Sequence, residues 1–317
     1  GIIHGLNGIR IALTSFGMDA QWNDDFHHAL HTLVTGERDG YYRDFGSLHH
    51  LAKAFKEGFV YSGQYSRFRR RRHGNSSSGR ASQQFIVFSQ NHDQVGNRAH
   101  GDRLSATASP EQLKLAAAVV LLSPFIPLLF MGEECGEKTP FCYFVDHADK
   151  ELIEAVRKGR RDEFARFGWE KEPPDPQAEE TFLASRIRIE EESKTRGSLL
   201  EFYRSLIALR KDIRAAGLLS KRVPDVGIFR KEKVLLVADY SHNEGIFCLF
   251  SFSEKTTNID FTPPAGHWYK ALDTSLPCRG GNGRETAPSR ILSDGSGSRV
   301  TIDQWSAVAY RQSGLEN

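Results

Sequence analysis

The feature that most limits how this chain folds is a strand–helix–strand run in its middle. Phe85-Ile86-Val87-Phe88 is a compact β-branched and aromatic block between polar residues, the pattern of a strand buried on both faces. Ser109-Pro110-Glu111 marks a helix start, with Ser109 as N-cap and Pro110 at the first helical position. Leu113 to Leu122 is then almost wholly apolar until Pro124 stops it, so this helix is expected to be buried on most sides. Pro127 to Met131 reads as a second buried strand. Two such strands joined by a buried helix predict parallel α/β architecture. Polar clusters stand where the strands exit, Ser89-Gln90-Asn91-His92-Asp93-Gln94 after the first and Gly132-Glu133-Glu134 after the second.

The flanks fill in the organisation. Phe26, Leu30 and Leu33 fall three to four apart, which predicts a helix over Phe26 to Val34 with Asp24 or Asp25 as N-cap. A second helix is expected over Ser47 to Glu57, ended by Gly58. The run from Arg67 to Gly79 reads as an exposed loop, and the charged stretch before Pro173-Pro174-Asp175-Pro176 as irregular. Ser198 to Ala216 is an amphipathic helix with Leu199, Phe202, Tyr203, Leu206, Ile207 and Ile213 on one face. From Val226 the period changes to two. Val226–Phe229, Val234–Ala238, Ile246–Phe252, Trp268–Ala271 and Ala307–Tyr310 are short strands between turn residues, an all-β unit read as a sandwich. The domain boundary is placed near residue 220, dividing 1–220 from 221–317, and no internal repeat is seen.

Composition closes off several classes. Forty-two Lys and Arg against 40 Asp and Glu leave a net charge of +2, which supplies no field for nucleic acid or an anionic membrane. The basic run Arg67-Phe68-Arg69-Arg70-Arg71-Arg72 is short and isolated, and a surface loop explains it. The apolar run from Leu115 to Met131 is interrupted by Ser123, Pro124 and Pro127, which argues against a membrane helix. Cys135, Cys142, Cys248 and Cys278 show no paired spacing and are read as free thiols of a cytoplasmic protein. Gly280-Gly281-Asn282-Gly283 has no helix after it and reads as a turn rather than a phosphate loop. There is no G-x-S-x-G elbow. The chain opens on Gly1 rather than Met, and is expected to start inside a longer protein.

Two segments can carry chemistry. Asn91, His92 and Asp93 follow a strand directly, the position from which parallel barrels build active sites, although Asp93 in that place could equally cap the next element. An Asp held by a His and amides suits hydroxyl-rich ligands. In Trp22 to His31, His27 and His31 stand one helical turn apart near Asp24, a possible metal face. The H-E-x-x-H glutamate is missing, because His28 follows His27, so hydrogen-bonded histidines are the preferred reading and neither metal nor cofactor is expected. Trp22 with Asp24 and Asp25 also suits sugar binding.

These segments, Trp22-Asn23-Asp24-Asp25-Phe26-His27-His28 through Gly40-Tyr41-Tyr42, Gln90-Asn91-His92-Asp93-Gln94-Val95-Gly96-Asn97-Arg98 and Leu122 through Glu134, resemble the maltooligosyltrehalose trehalohydrolase branch of the α-amylase superfamily, glycoside hydrolase family 13. The resemblance implies the C-terminal part of a (β/α)8 TIM barrel, its last three βα units, followed by a β-sandwich. It implies retaining cleavage of the α-1,4 bond next to the terminal trehalose of maltooligosyltrehalose, releasing trehalose. Asp93 matches the family's transition-state-stabilising carboxylate and His92 its sugar-binding histidine. Asn91, Gln94, Trp22, Asp24, Asp25 and His27 are further expected substrate contacts. Maltooligosyltrehalose and related α-glucans are the implied partners, and the full-length enzyme is expected to be a monomer or homodimer. The family's nucleophile and general acid precede the Trp22 block, where Asp19 is the sole acidic residue. Ala12 stands where a loosely similar Gly8-Ile9-Arg10-Ile11 run would need its Asp. The chain is therefore expected to be a portion of the enzyme that is inactive alone. The alternatives are a glycogen branching enzyme, which shares Asn-His-Asp, and a non-catalytic carbohydrate-binding protein.

Overall fold

The computed structural model describes residues 18–167, 173–187, 194–219, 223–240, 244–276 and 285–312, with side chains for all of these but 163–167 and 194–196. In chain order the elements are β1 (Gln21–Trp22), α1 (Asp24–Thr35), α2 (Leu48–Glu57), β2 (Ser62–Ser66), β3 (Arg71–Gly74) and β4 (Phe85–Val87). There follow α3 (His92–Gly96), α4 (Leu104–Thr107), α5 (Pro110–Leu121), β5 (Ile126–Pro127), α6 (Lys150–Phe167), α7 (Glu179–Ala184) and α8 (Lys194–Ala215). The remainder is all strand: β6 (Asp225–Phe229), β7 (Val234–Asp239), β8 (Ile246–Ser251), β9 (Thr257–Phe261), β10 (Gly266–Asp273), β11 (Arg290–Ser293), β12 (Ser298–Ile302) and β13 (Ala307–Gln312). The chain is thus α/β with a sheet-rich C-terminal part. It divides into two compact units: one runs to Ser89 and adds Pro110–Leu128 and the segment from Ser198 onward, and the other comprises Gln90–Ser109 and Leu129–Gly197.

In the first unit β1, β4 and β5 form a parallel sheet in that order, with Trp22 opposite Ile86 and Ile86 opposite Ile126. β5 is shorter than the expected Pro127–Met131 strand. Leu128 N–H still donates to Val87 O at 2.8 Å, but beyond it Leu129 and Met131 are exposed. Asn23, not Asp24 or Asp25, caps α1: its Oδ1 accepts the Phe26 N–H at 3.0 Å. Gly58 ends α2, as expected, while Ser47, read as its first residue, is its N-cap. The C-terminal carbonyls of α5 and the turn after it are taken up mainly by Arg210, with Arg214 donating to Pro124 O at 3.2 Å. Arg210 of α8 donates to Leu121 O, Ser123 O and Phe125 O at 2.5, 2.7 and 2.5 Å, so groups that no helix can satisfy internally are paired.

The six-stranded antiparallel sheet has the order β11-β10-β13-β8-β7-β6, and β9 pairs with β12 separately. Phe247, Leu249, Trp268 and Tyr310 of the large sheet pack with Ile259, Phe261, Val300 and Ile302 of the small one in a single buried cluster. The polar ends of the rings remain satisfied, Trp268 Nε1 donating to Pro264 O and Tyr310 OH to Pro288 O. Every residue of β8 is buried, because its other face is covered too: Phe250 stacks on Phe55 of α2 with 6.4 Å between ring centroids. That is why Ile246 to Phe250 is a continuous apolar run rather than an alternating one.

Several expectations are corrected. Part of the basic loop is a hairpin, β2–β3, whose connection is fixed from beneath: the Asp44 carboxylate accepts the Tyr61 and Ser66 hydroxyls and the Arg67 and Phe68 amides. Those four donors hold the Asp44 carboxyl below its ordinary range against the opposing effect of partial burial. The charged stretch contains α6, and α7 after it and β1, β9, β11 and β12 have no counterpart in the sequence reading. The Gly280–Gly283 turn, Cys278, the Gly8–Ala12 run and the boundary at residue 220 lie outside the described residues. Cys142 and Cys248 are buried free thiols, whereas Cys135 is half-buried. Among the described residues no helix is long and apolar enough to cross a membrane.

Gly58 offers a direct test of this packing. Its φ is +87°, and a Cβ there would lie 2.3 Å from the Phe85 ring. Gly63 and Gly79 have similarly positive φ but open space around them. Gly58→Ala is expected to destabilise by more than the roughly 1–2 kcal/mol of left-handed strain that Gly63→Ala and Gly79→Ala incur. Urea unfolding of the three variants checks the difference.

Candidate functional site

The carboxyl end of the short parallel sheet in the first unit is crowded with polar side chains, and most have structural partners. Asn23 is fully buried; its N–H donates to Ile86 O at 2.8 Å and its Nδ2 to Gly58 O at 2.9 Å. Asp25 is buried, and its Oδ2 accepts the Val60 and Tyr61 amides, both at 2.8 Å. Its carboxylate holds the chain leaving α2. His27 is buried, with Nδ1 at 2.8 Å from Ser89 O and Nε2 at 3.0 Å from the Tyr42 hydroxyl. His27 and His31 are both hydrogen-bonded, the reading preferred from the sequence. His31 lies parallel to Tyr42 with centroids 4.5 Å apart, and its Nε2 is 2.8 Å from Glu37 Oε2. Among the described residues no group of three or more His, Cys, Asp or Glu is placed to hold a metal ion. Asp24 and Trp22 are half-buried, the Trp22 ring meeting Phe88 edge-on at 5.9 Å.

The second unit carries the Asn-His-Asp run on its first helix. Asn91 is the N-cap of α3, with Oδ1 accepting the Gln94 N–H at 2.8 Å, so Asp93 lies in the first turn, where the helix dipole favours negative charge. Asn91 is buried, and its Nδ2 has no hydrogen-bond partner among the described residues. Side-chain exposure separates the members: 57% for His92 and 29% for Asp93, with Nε2 and Oδ1 3.6 Å apart. An Asp93 carboxylate this open is able to accept hydroxyls from a ligand. Gln94 is buried. Of the expected residues, the structure groups Asn91, His92, Asp93 and Gln94 on α3, and Trp22, Asp24, Asp25 and His27 at the start of α1 in the other unit.

Sequence reasoning missed the residue that organises the loops around α3. Arg103 is buried, donates through Nε to Thr139 O at 2.6 Å and through Nη1 to Met131 O at 2.7 Å, and lies over the Phe130 ring. Burial lowers its pKa, and Glu137, Glu133 and Glu134 oppose that shift. Glu137 Oε1 in turn accepts the Lys138 and Thr139 amides. A lone Arg between Asp102 and Leu104 offers no periodic signal; the glutamates at the strand exit were the visible half of this cluster. Gln90 Oε1 accepts the Leu104 N–H at 2.7 Å and fixes the start of α4.

A parallel sheet with polar strand exits, followed by antiparallel sheets, makes this an α/β fold with a sheet-rich C-terminal part, and it is similar to the crystal structure of a Salmonella typhimurium protein provisionally described as an alpha amylase. The TM-score is 0.76 at 34% identity, over 93% of this chain and 47% of that one. More particularly, the chain is similar to proteins named malto-oligosyltrehalose trehalohydrolase. The one from Saccharolobus solfataricus is 48% identical over 197 residues, 62% of this chain and 33% of that protein. The one from Arthrobacter ramosus is 49% identical over 205 residues, 64% of this chain and 36% of that protein. The chain therefore spans about a third of the length of the curated relatives it matches. No protein-family model matches it.

Burial pushes the Asp25 carboxyl up to about 6, against the two amides that lower it. Folded Asp25 thus keeps its proton to a higher pH than unfolded Asp25. The native state binds more protons between about pH 4 and 6, and this group's contribution falls as pH rises through that window. Asp25→Asn is expected to flatten that part of the stability curve, measured by urea unfolding at pH values from about 4 to 7. An unchanged slope would assign the proton elsewhere.

Proposed function

We propose that this chain is the part of a malto-oligosyltrehalose trehalohydrolase that supplies the transition-state-stabilising carboxylate, Asp93. The observation that carries the reading is the half-buried, solvent-reachable Asp93 carboxylate beside exposed His92 in the first turn of α3, in a chain 48% identical over 197 residues to such an enzyme. In this reading 1–220 is the C-terminal part of a (β/α)8 barrel and 221–317 a β-sandwich, in a cytoplasmic enzyme acting on α-glucans.

Hydrolysis with retention passes through an oxocarbenium-like transition state. Asp93 accepts hydroxyls of the sugar being cleaved, and those hydrogen bonds strengthen as positive charge develops on the ring, a term of several kcal/mol. His92 donates to the same sugar, and Asn91 orients the helix turn that carries both. Asp25 and His27, committed to backbone and Tyr42, position the segment rather than touch substrate. Retention also needs a nucleophile and an acid roughly 5–5.5 Å apart. The reading assigns neither to this chain.

Asp93→Asn, in the full-length enzyme carrying this segment, is expected to lower kcat by about 100-fold or more with little change in unfolding midpoint, because charge is removed and volume is not. Activity within tenfold of the parent would overturn the role. The 317-residue polypeptide alone is expected to release no trehalose from maltooligosyltrehalose; new α-1,6 branches without net hydrolysis would favour the branching-enzyme reading.

A further inference from the structure

A cleft of about 600 Å³ opens in the first unit, away from the residues discussed so far, where the end of α1 and the start of α2 meet the β6–β7 turn and the segments after β8 and before β13. Arg38, Arg230 and Lys233 line it against a single carboxylate, Glu254, and Trp305 completes the wall. Two of the cations are held in place by their own hydrogen bonds. Arg38 caps the last turn of α1, donating to Thr32 O at 2.8 Å and to Glu37 O at 2.6 Å. Arg230 Nε donates to His49 Nε2 at 2.7 Å, which anchors it at the rim.

The backbone adds a second observation. Four non-glycine residues among those described have positive φ, and two of them, Lys233 at +55° and Trp305 at +44°, line this one cleft. Left-handed backbone is ordinarily glycine's place, and non-glycine residues kept there concentrate at functional sites. Lys233 sits at the end of the β6–β7 turn, where its carbonyl accepts the Phe252 N–H at 2.9 Å. A glycine would make the same bond without strain. What only lysine supplies is the ammonium.

We propose that this cleft binds a phosphorylated sugar. Arg38, Arg230 and Lys233 hold the phosphate by charge-assisted hydrogen bonds, while the Trp305 indole offers its face to the C–H side of the ring. Glu254 decides for a sugar over a simple anion: one carboxylate among three cations repels phosphate but accepts hydroxyls, so the ligand needs an anionic end and a hydroxylated end. The inference is independent of the catalytic reading, because its test measures binding and not turnover.

The experiment is calorimetric titration of the full chain with glucose 6-phosphate, glucose and inorganic phosphate at one ionic strength. Glucose 6-phosphate is expected to bind at least about tenfold more tightly than either component. Lys233→Gly is expected to weaken it by about tenfold while the unfolding midpoint holds or rises, and Trp305→Phe to keep more affinity than Trp305→Ala. Three results would overturn the proposal: no binding of glucose 6-phosphate up to about 10 mM, equal affinity for phosphate or glucose alone, or a Kd unchanged in Lys233→Gly.

Discussion

The first unit hangs on the side chain of Asn23. Its amide and backbone tie the end of β1 to β4, cap α1, and receive the carbonyl at the end of α2, all within a residue that has no exposure to solvent. A buried amide is costly unless all its groups are paired, and here they are. No apolar residue could replace it, since the Gly58 carbonyl and the Phe26 amide would both lose their partners inside the core. Asp25 repeats the device one residue on, holding the chain beyond α2 through the Val60 and Tyr61 amides. The polar block that marks this segment in the sequence is therefore largely internal scaffolding, whereas in the Asn91 to Gln94 run His92 is exposed and Asp93 partly so.

Where the sequence was readable, the signal was periodic or capped. The helix over 110–121 announced itself through Ser109-Pro110 and a solid apolar run, and the end of α2 through Gly58. The amphipathic face of α8 placed Leu199, Phe202, Tyr203 and Leu206 inside, where they are. The strands that escaped notice, β9, β11 and β12, alternate buried and exposed residues over only four or five positions, with polar residues on the outer face. The β2–β3 hairpin was hidden for another reason. Its outer residues are mostly arginine, and the group that shapes it, Asp44, comes from a distant turn. Pairing across the chain leaves no local trace.

The same contrast holds for the candidate site. Asn91, His92 and Asp93 were legible because a strand exit is a position with known chemistry. Their burial was not: nothing in the triplet tells that Asn91 is enclosed while His92 faces solvent. Arg103 was invisible, since its importance comes from the carbonyls of Thr139 and Met131, residues reached only by folding. The Trp22 block carried the opposite error of emphasis. His27 and Asp25 look like ligands in a string of letters, but they face backbone atoms and Tyr42 in space.

The grip of Arg210 on the α5–β5 turn reaches beyond packing. The carbonyls of Leu121, Ser123 and Phe125 precede their partner by 89, 87 and 85 residues. On a ribosome adding roughly 5–20 residues per second, they wait on the order of ten seconds for the guanidinium that satisfies them. Throughout that interval water serves as their partner. The residues emerging meanwhile, Leu129–Gly197, make up most of the second compact unit. Synthesis thus delivers an insertion before its host is complete, and the last long helix ends the wait of these three carbonyls.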